Sequence, residues 1–353
     1  EEKVIDLHAY LASPEPPKPA LSVSRAELGF SFEMGAKAPA SEVLWLWHVP
    51  GGGDVNWTAA SSADWLAVSP SSGWTPAGLN VSVNPARLGP GSYTGSVTVL
   101  SPGLPSQTVK VTLRVTAPVP SIGSIVNAAS FQAGMVPGGL ATLFGKNLSL
   151  VIGTELPAGA TSYEGVWVAV ERQRVPLLAV SNAGGQEQIN FQVPFELGAP
   201  ARVRVEVNNN GSVATVENVP LLRVQPGIFE YTPQGSSTRY AAAVKLDGSV
   251  VGPTNPVSRG EVVSLFLTGL GPVLPVLRTG ELGPASPPAV TWLQPTVAVG
   301  GTGAQVLFSG YAPGLLGLYQ INIVIPDAAP TGSVNLGVVV DGVPSQSSRI
   351  AVR

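Results

Sequence analysis

Apolar and polar residues alternate with a period of two along much of this chain. Val81 and Val83, Val97 and Val99, and Val109, Val111, Leu113 and Val115 are separated by polar residues, the spacing that puts every second side chain on one face of an extended strand. Breakers interrupt the runs at Gly51-Gly52-Gly53, Ser69-Pro70-Ser71-Ser72-Gly73 and Gly89-Pro90-Gly91. From Leu21 to about Thr116 the pattern therefore predicts a sandwich of half-buried strands. Residues 1 to 20 stand apart. Ile5, Leu7, Ala9 and Leu11 share one side of an extended segment that also carries Val4 and Tyr10, and Pro14, Pro16, Pro17 and Pro19 follow it. Proline at that density favours an extended spacer and cannot join a ladder, so this stretch reads as an arm held away from the next domain.

One strand breaks the alternation. Val43, Trp45, Trp47 and Val49 fall on one side of the run Val43-Leu44-Trp45-Leu46-Trp47-His48-Val49, with Leu44 and Leu46 on the other. A sandwich strand normally offers water a polar face, so something is expected to cover the second side: the arm, the next domain, a second subunit or a sugar. Trp74 and Trp292, beside Gly- and Pro-rich turns, are further contact candidates, whereas Trp57 and Trp65 read as core.

Beyond the linker Ala117-Pro118-Val119-Pro120 lies an internal repeat. Gln188-Ile189-Asn190-Phe191-Gln192-Val193-Pro194 recurs as Gln320-Ile321-Asn322-Ile323-Val324-Ile325-Pro326, an offset of 132. The stretch from Gly138 to Phe144 matches that from Gly260 to Phe266 at an offset of 122, and Val168-Ala169-Val170 matches Val297-Ala298-Val299 at 129. Order is kept while the offset drifts, so residues 118–224 and 225–353 read as two versions of one sandwich with insertions in the loops.

Composition sharpens this reading. The 353 residues include 41 Gly and 34 Pro and only 12% charged residues, a mixture that serves helices poorly and turns well. A net charge of -3 leaves no electrostatic footprint for nucleic acid. No apolar run approaches the roughly 18 residues of a membrane span. Cysteine is absent, which excludes disulfides and thiolate metal sites. The opening at Glu1 suggests a removed signal peptide and an extracellular or cell-surface location.

Candidate chemistry is sparse. His8 sits in the arm and His48 in an apolar run, and the acids are scattered, so neither an imidazole relay nor a carboxylate pair is indicated. Asp247-Gly248 and Asp341-Gly342 read as hairpin turns. The expectation is a protein that is not an enzyme, with no catalytic residue, cofactor or metal.

Two resemblances add to this. The segment from Trp57 to Gly73 followed by Gly91-Ser92-Tyr93-Thr94-Gly95-Ser96-Val97-Thr98-Val99 resembles the BACON family of immunoglobulin-like domains. That family is named for a proposed carbohydrate-binding role, but the matched residues are mainly framework ones. From Ser124 onward the chain resembles the uncharacterised C-terminal domain family of secreted acidobacterial proteins, through Val126-Asn127-Ala128-Ala129-Ser130-Phe131, Pro137-Gly138-Gly139, the stretch from Gly185 to Pro194, Gln225-Pro226-Gly227-Ile228-Phe229 and Gly317-Leu318-Tyr319-Gln320-Ile321-Asn322. The resemblance implies a secreted or surface tandem of immunoglobulin-like sandwiches.

The fold class expected is all-β: an extended N-terminal arm, a BACON-like sandwich over residues 21–117 and two related immunoglobulin-like sandwiches, joined end to end by short proline linkers. Burying Val4, Ile5, Leu7, Tyr10 and Leu11 about offsets the backbone entropy of ordering the arm, and ladder hydrogen bonds then decide the balance. The function expected first is thus a structural subunit whose arm adds as a strand to a neighbouring copy, building a filament or array, with other copies of itself as partners. Pairing of the arm within its own chain is the bland version. A cell-surface module binding glycans through Trp45 and Trp47 is the alternative.

Overall fold

The computed structural model describes residues 18–51 and 53–353, which are strand and loop, without helix, throughout. They are all-β, as the alternation requires. The proposed arm residues Val4, Ile5, Leu7, Ala9, Tyr10 and Leu11, together with His8, lie outside the described residues. Two compact units divide between Pro118 and Val119.

The first unit is built from β1 (Ala20–Val23), β2 (Glu27–Glu33), β3 (Glu42–Val49), β4 (Asn56–Ser61), β5 (Leu66–Ser69), β6 (Ser72–Trp74), β7 (Ala77–Val83), β8 (Gly91–Leu100) and β9 (Gln107–Thr116). They form two sheets, β1-β3-β7-β5 and β2-β9-β8-β4-β6. The chain leaves the first sheet after Val23 and enters the second at Glu27, where β2 pairs parallel with β9. The alternation explains the rest. Val109, Val111, Leu113 and Val115 of β9 are buried while Lys110, Thr112 and Arg114 face out, and the inward residues of both sheets meet in one core with Leu44, Leu46, Trp57 and Leu79. Each large aliphatic side chain so buried contributes about 1.5–3 kcal/mol.

The second unit begins with β10 (Ser121–Asn127), β11 (Leu140–Lys146), β12 (Val166–Val170), β13 (Gln173–Arg174), β14 (Leu177–Ala183), β15 (Gln186–Gln192), β16 (Ala201–Asn209) and β17 (Ser212–Leu221). Sheets β10-β11-β15-β14 and β13-β12-β16-β17 enclose a core of Leu143, Val168, Ile189, Phe191 and Val205. The remainder has its own core, with Val263, Leu265, Ile321, Ile323 and Leu336. There the order Gly227–Ile228, Val262–Thr268, Tyr319–Val324, Thr302–Tyr311 repeats the order β10-β11-β15-β14. Thr302–Tyr311 serves both of its layers, pairing first with Thr296–Val299 and then with Tyr319–Val324. Its counterpart in the earlier half is split into β13 and β14 by Val175-Pro176, where proline withholds the donor a continuous ladder needs.

The register repeats as well. In the earlier half Leu140 faces Gln192, Ala141 faces Phe191, Thr142 faces Asn190, Leu143 faces Ile189 and Phe144 faces Gln188. Adding 122 to the first member and 132 to the second turns these pairs into Val262 with Val324, Val263 with Ile323, Ser264 with Asn322, Leu265 with Ile321 and Phe266 with Gln320, which are the pairs observed. Two offsets read separately from the sequence thus give one common register.

The joint between these halves corrects the expectation of a proline linker there. Asn127 Nδ2 donates to the Gln225 carbonyl at 2.8 Å, while its Oδ1 accepts from the Ala129 and Ser130 amides at 2.9 and 3.0 Å. Thr268 Oγ1 accepts from the Leu140 amide at 2.7 Å and donates to the Gly317 carbonyl at 3.1 Å. Gln192 Nε2 donates to the Tyr311 hydroxyl at 2.8 Å. Asn127, Gln192, Gln225 and Thr268 are all buried, so the halves meet through buried polar contacts rather than across a spacer. Gly269, with φ of +77°, is required here, because a Cβ would lie 2.3 Å from the Gln225 carbonyl oxygen.

Candidate functional site: the outer faces of the first unit

Strand β3 answers the question its sequence raised. Leu44 stands opposite Leu79 and Leu46 opposite Val23 and Ala77, and both leucines are fully buried. The other side of the strand, Val43, Trp45, Trp47 and Val49, faces solvent among the described residues, with Trp45 58% and Trp47 38% exposed. Trp45 stands opposite Gly78. A Cβ on Gly78 would lie 3.3 Å from Cζ3 of the Trp45 ring and 3.2 Å from Cγ1 of Val43, so the indole lies low over the sheet where glycine leaves room. Ser22 stands beside Trp47 and Asn80 beside Val43, adding a hydroxyl and an amide. Arg25 and Glu42 at the margin pair with each other at 3.0 Å. The result is a flat, uncharged, aromatic surface with polar groups along it.

Trp74 stands on the outer side of the other sheet and is 63% exposed. It lies across from Asn56, and Ser72 lies across from Thr58. With Trp57, Gly73, Leu100, Ser101 and Pro102 they line a cleft of about 560 Å³. Trp57 itself is core, and Gly73 makes room for it: a Cβ there would come 2.9 Å from the indole Cζ2. Trp292 belongs to the second unit, is 65% exposed and borders a smaller hollow with Phe195, Leu197 and Pro272. Within the first unit Trp74 is therefore not brought into one site with Trp45 and Trp47.

His48 projects inward beside Leu21, its ring nitrogens buried without a hydrogen-bond partner among the described residues. No cluster of three or more His, Asp or Glu among the described residues is placed to hold a metal ion. The perturbed groups have structural causes. Burial pulls the Glu196 carboxyl up, but hydrogen bonds from Thr279 outweigh it and hold it below the ordinary range. The hydroxyl and amide of Ser249 lower Asp247 in its turn. Burial pushes Tyr231 up, helped by Tyr240, while its hydroxyl donates to the Val251 carbonyl.

The cleft residues Asn56, Thr58 and Ser72 are not among the candidates the sequence singles out. The available signal was the alternation itself: a core Trp57 turns Asn56 and Thr58 outward.

Residues 20–116 match the family described as the viral BACON domain, the stretch over which the sequence resembles BACON domains. No curated protein matches the chain. Among solved structures, a Bacteroides ovatus GH5 xyloglucanase in complex with a XXXG heptasaccharide is 20% identical over 34% of this chain and 27% of that one, with a TM-score of 0.23. The Bacteroides ovatus mixed-linkage glucan utilization locus protein SGBP-B in complex with mixed-linkage heptasaccharide is 11% identical over 96% and 71%, with a TM-score of 0.27. The I67-I69 I-band fragment of titin is 11% identical over 97% and 100%, with a TM-score of 0.25. The chain thus spans about a quarter of the length of the first and most of the length of the other two.

Proposed function

We propose that the chain is a non-enzymatic cell-surface module that holds neutral glycans, with the outer face of sheet β1-β3-β7-β5 as its binding surface. One observation carries this reading: Trp45 and Trp47 lie side by side on the solvent side of a strand whose other side is core. Sugar rings present flat C–H faces and uncharged hydroxyls. An indole laid along a sheet meets the first, and Ser22 and Asn80 meet the second. A charged glycan would leave its charge without a partner on this face. The resemblance of residues 124–353 to secreted acidobacterial proteins supports a surface location, with residues 118–224 and 225–353 as paired repeats that present the first unit.

The test is a glycan array followed by calorimetry on the preferred sugar, with wild type and the double variant Trp45→Ala, Trp47→Ala. Truncating exposed side chains leaves stability within about 0.5 kcal/mol, while the loss of two central aromatics lowers affinity more than tenfold. Equal binding by the two proteins, or binding by neither, overturns the assignment of this face.

Assembly by strand addition is the second reading. It rests on the alternation of Ile5, Leu7, Ala9 and Leu11 and on one feature of the fold. Strand β17, Ser212–Leu221, ends its sheet; its last residues are bridged by Met135, and the edge from Val213 to Val219 is where an incoming strand would add. Deleting residues 1–12 is expected to abolish any filaments seen by negative-stain microscopy while the circular dichroism of the sandwiches is unchanged. Filaments of unaltered length and number would remove the arm from assembly.

A further inference from the structure

The cleft beside Trp74 has the makings of a site of its own. It lies on the outer side of sheet β2-β9-β8-β4-β6, whereas Trp45 and Trp47 lie on the outer side of the opposite sheet. Its lining contains no charged residue. Asn56, Thr58 and Ser72 bring exposed amide and hydroxyl groups to one wall, Trp74 supplies an exposed ring directly opposite Asn56, and Leu100 and Pro102 complete the rim. Trp57, whose ring is core, and Gly73 complete the strand segment behind these side chains. The volume of about 560 Å³ falls within the range of small-molecule sites.

We propose that this cleft is a second glycan-binding site, taking a neutral oligosaccharide segment stacked on Trp74 with its hydroxyls bonded to Asn56, Thr58 and Ser72. The proposal that the cleft binds sugar stands on the cleft alone. Its corollary rests on the reading of the Trp45 and Trp47 face: with one site on each outer sheet, a single sandwich joins two glycan chains.

The experiment is isothermal titration of the full chain with cellohexaose, xylohexaose and maltohexaose, comparing wild type, Trp74→Ala, the Trp45→Ala, Trp47→Ala double variant and the triple variant. Trp74 is exposed, so its truncation leaves the urea midpoint in place, which the same samples verify. The expected result is two sites in wild type, one in each partial variant and none in the triple variant. Turbidity with a long-chain polysaccharide of the preferred type should rise for wild type only, because cross-linking needs both sites. A Trp74→Ala protein with the stoichiometry and turbidity of wild type overturns the cleft proposal and leaves the Trp45 and Trp47 face intact. A double variant that binds as wild type does, beside a Trp74→Ala variant that has lost more than tenfold in affinity, overturns the face and leaves the cleft. Absence of saturable binding of all three sugars to wild type overturns both.

Discussion

Asn127→Ala is expected to lower the unfolding free energy of the second unit by about 3–5 kcal/mol, since each buried polar group left unsatisfied costs about 1–3 kcal/mol. Asn127 is fully buried and uses both ends of its amide. Alanine would leave the Ala129 and Ser130 amides without an acceptor and the Gln225 carbonyl without this donor. Water cannot replace the side chain easily, because Gly227 packs against it: a Cβ on Gly227 would lie 2.4 Å from Asn127 Oδ1. Asn127→Asp separates the two functions. A carboxylate still accepts from both amides but presents a charged oxygen to the Gln225 carbonyl, so it should also destabilise, and more at neutral than at acidic pH. Urea unfolding of the full chain, followed by circular dichroism and by proteolysis across the joint, checks both variants. A loss below about 1 kcal/mol for Asn127→Ala would show that the joint does not depend on this amide.

Raising the pH should destabilise the same unit. Burial pushes the Tyr311 hydroxyl up to about 12 from an ordinary value of 10.0, against hydrogen bonds from Gly317 and Gln192 that pull it down. Burial, and then the charge of a neighbouring Tyr311 phenolate, holds Tyr319 well above its ordinary value. The two rings meet edge to face at 5.2 Å, and the Tyr319 hydroxyl donates to the Gly271 carbonyl at 2.7 Å. The folded state thus binds these protons more tightly than the unfolded chain does. Stability is fully present below about pH 10 and falls above it, by about 1.4 kcal/mol per pH unit for each tyrosine that ionises only on unfolding. For Tyr311 alone the loss reaches about 2.3 kcal/mol by pH 12, and Tyr319 adds to it. Urea midpoints measured from pH 8 to 12, with tyrosinate absorbance in parallel, should show the midpoint dropping and the last two of the chain's seven phenolates appearing only with unfolding. Tyrosinate formed to the full count in still-folded protein would contradict the burial assigned to this pair.

Much of this architecture was legible in the sequence because strand burial has a period of two. Val109, Val111, Leu113 and Val115 are inside for no reason beyond their alternation with Lys110, Thr112 and Arg114. The offsets of 122 and 132 carry the β11 and β15 register onto its later copy, because cross-strand partners on a buried face cannot slip by one residue without turning every side chain outward. The hairpin at Asp341-Gly342 follows from two residues that tolerate positive φ, observed at 48° and 77°.

Tertiary structure decided what alternation leaves open. Strand β3 is apolar on both sides, so its pattern predicts burial for each of them; Leu79 and Val23, distant in sequence, select the leucine side as core and leave Trp45 and Trp47 outside. Trp57 and Trp74 are alike in composition, yet one is core and the other surface, because β6 lies in register with β4 and turns the second ring away from the core. The motif stretches around Asn127, Gln225 and Gly317 carry no periodic signal of a contact. They meet because side-chain amides and hydroxyls satisfy buried backbone groups across 98 residues in one case and 49 in another. Local periodicity determines which way a side chain points along its own strand, whereas the partner that satisfies a buried polar group is chosen only when distant segments pack.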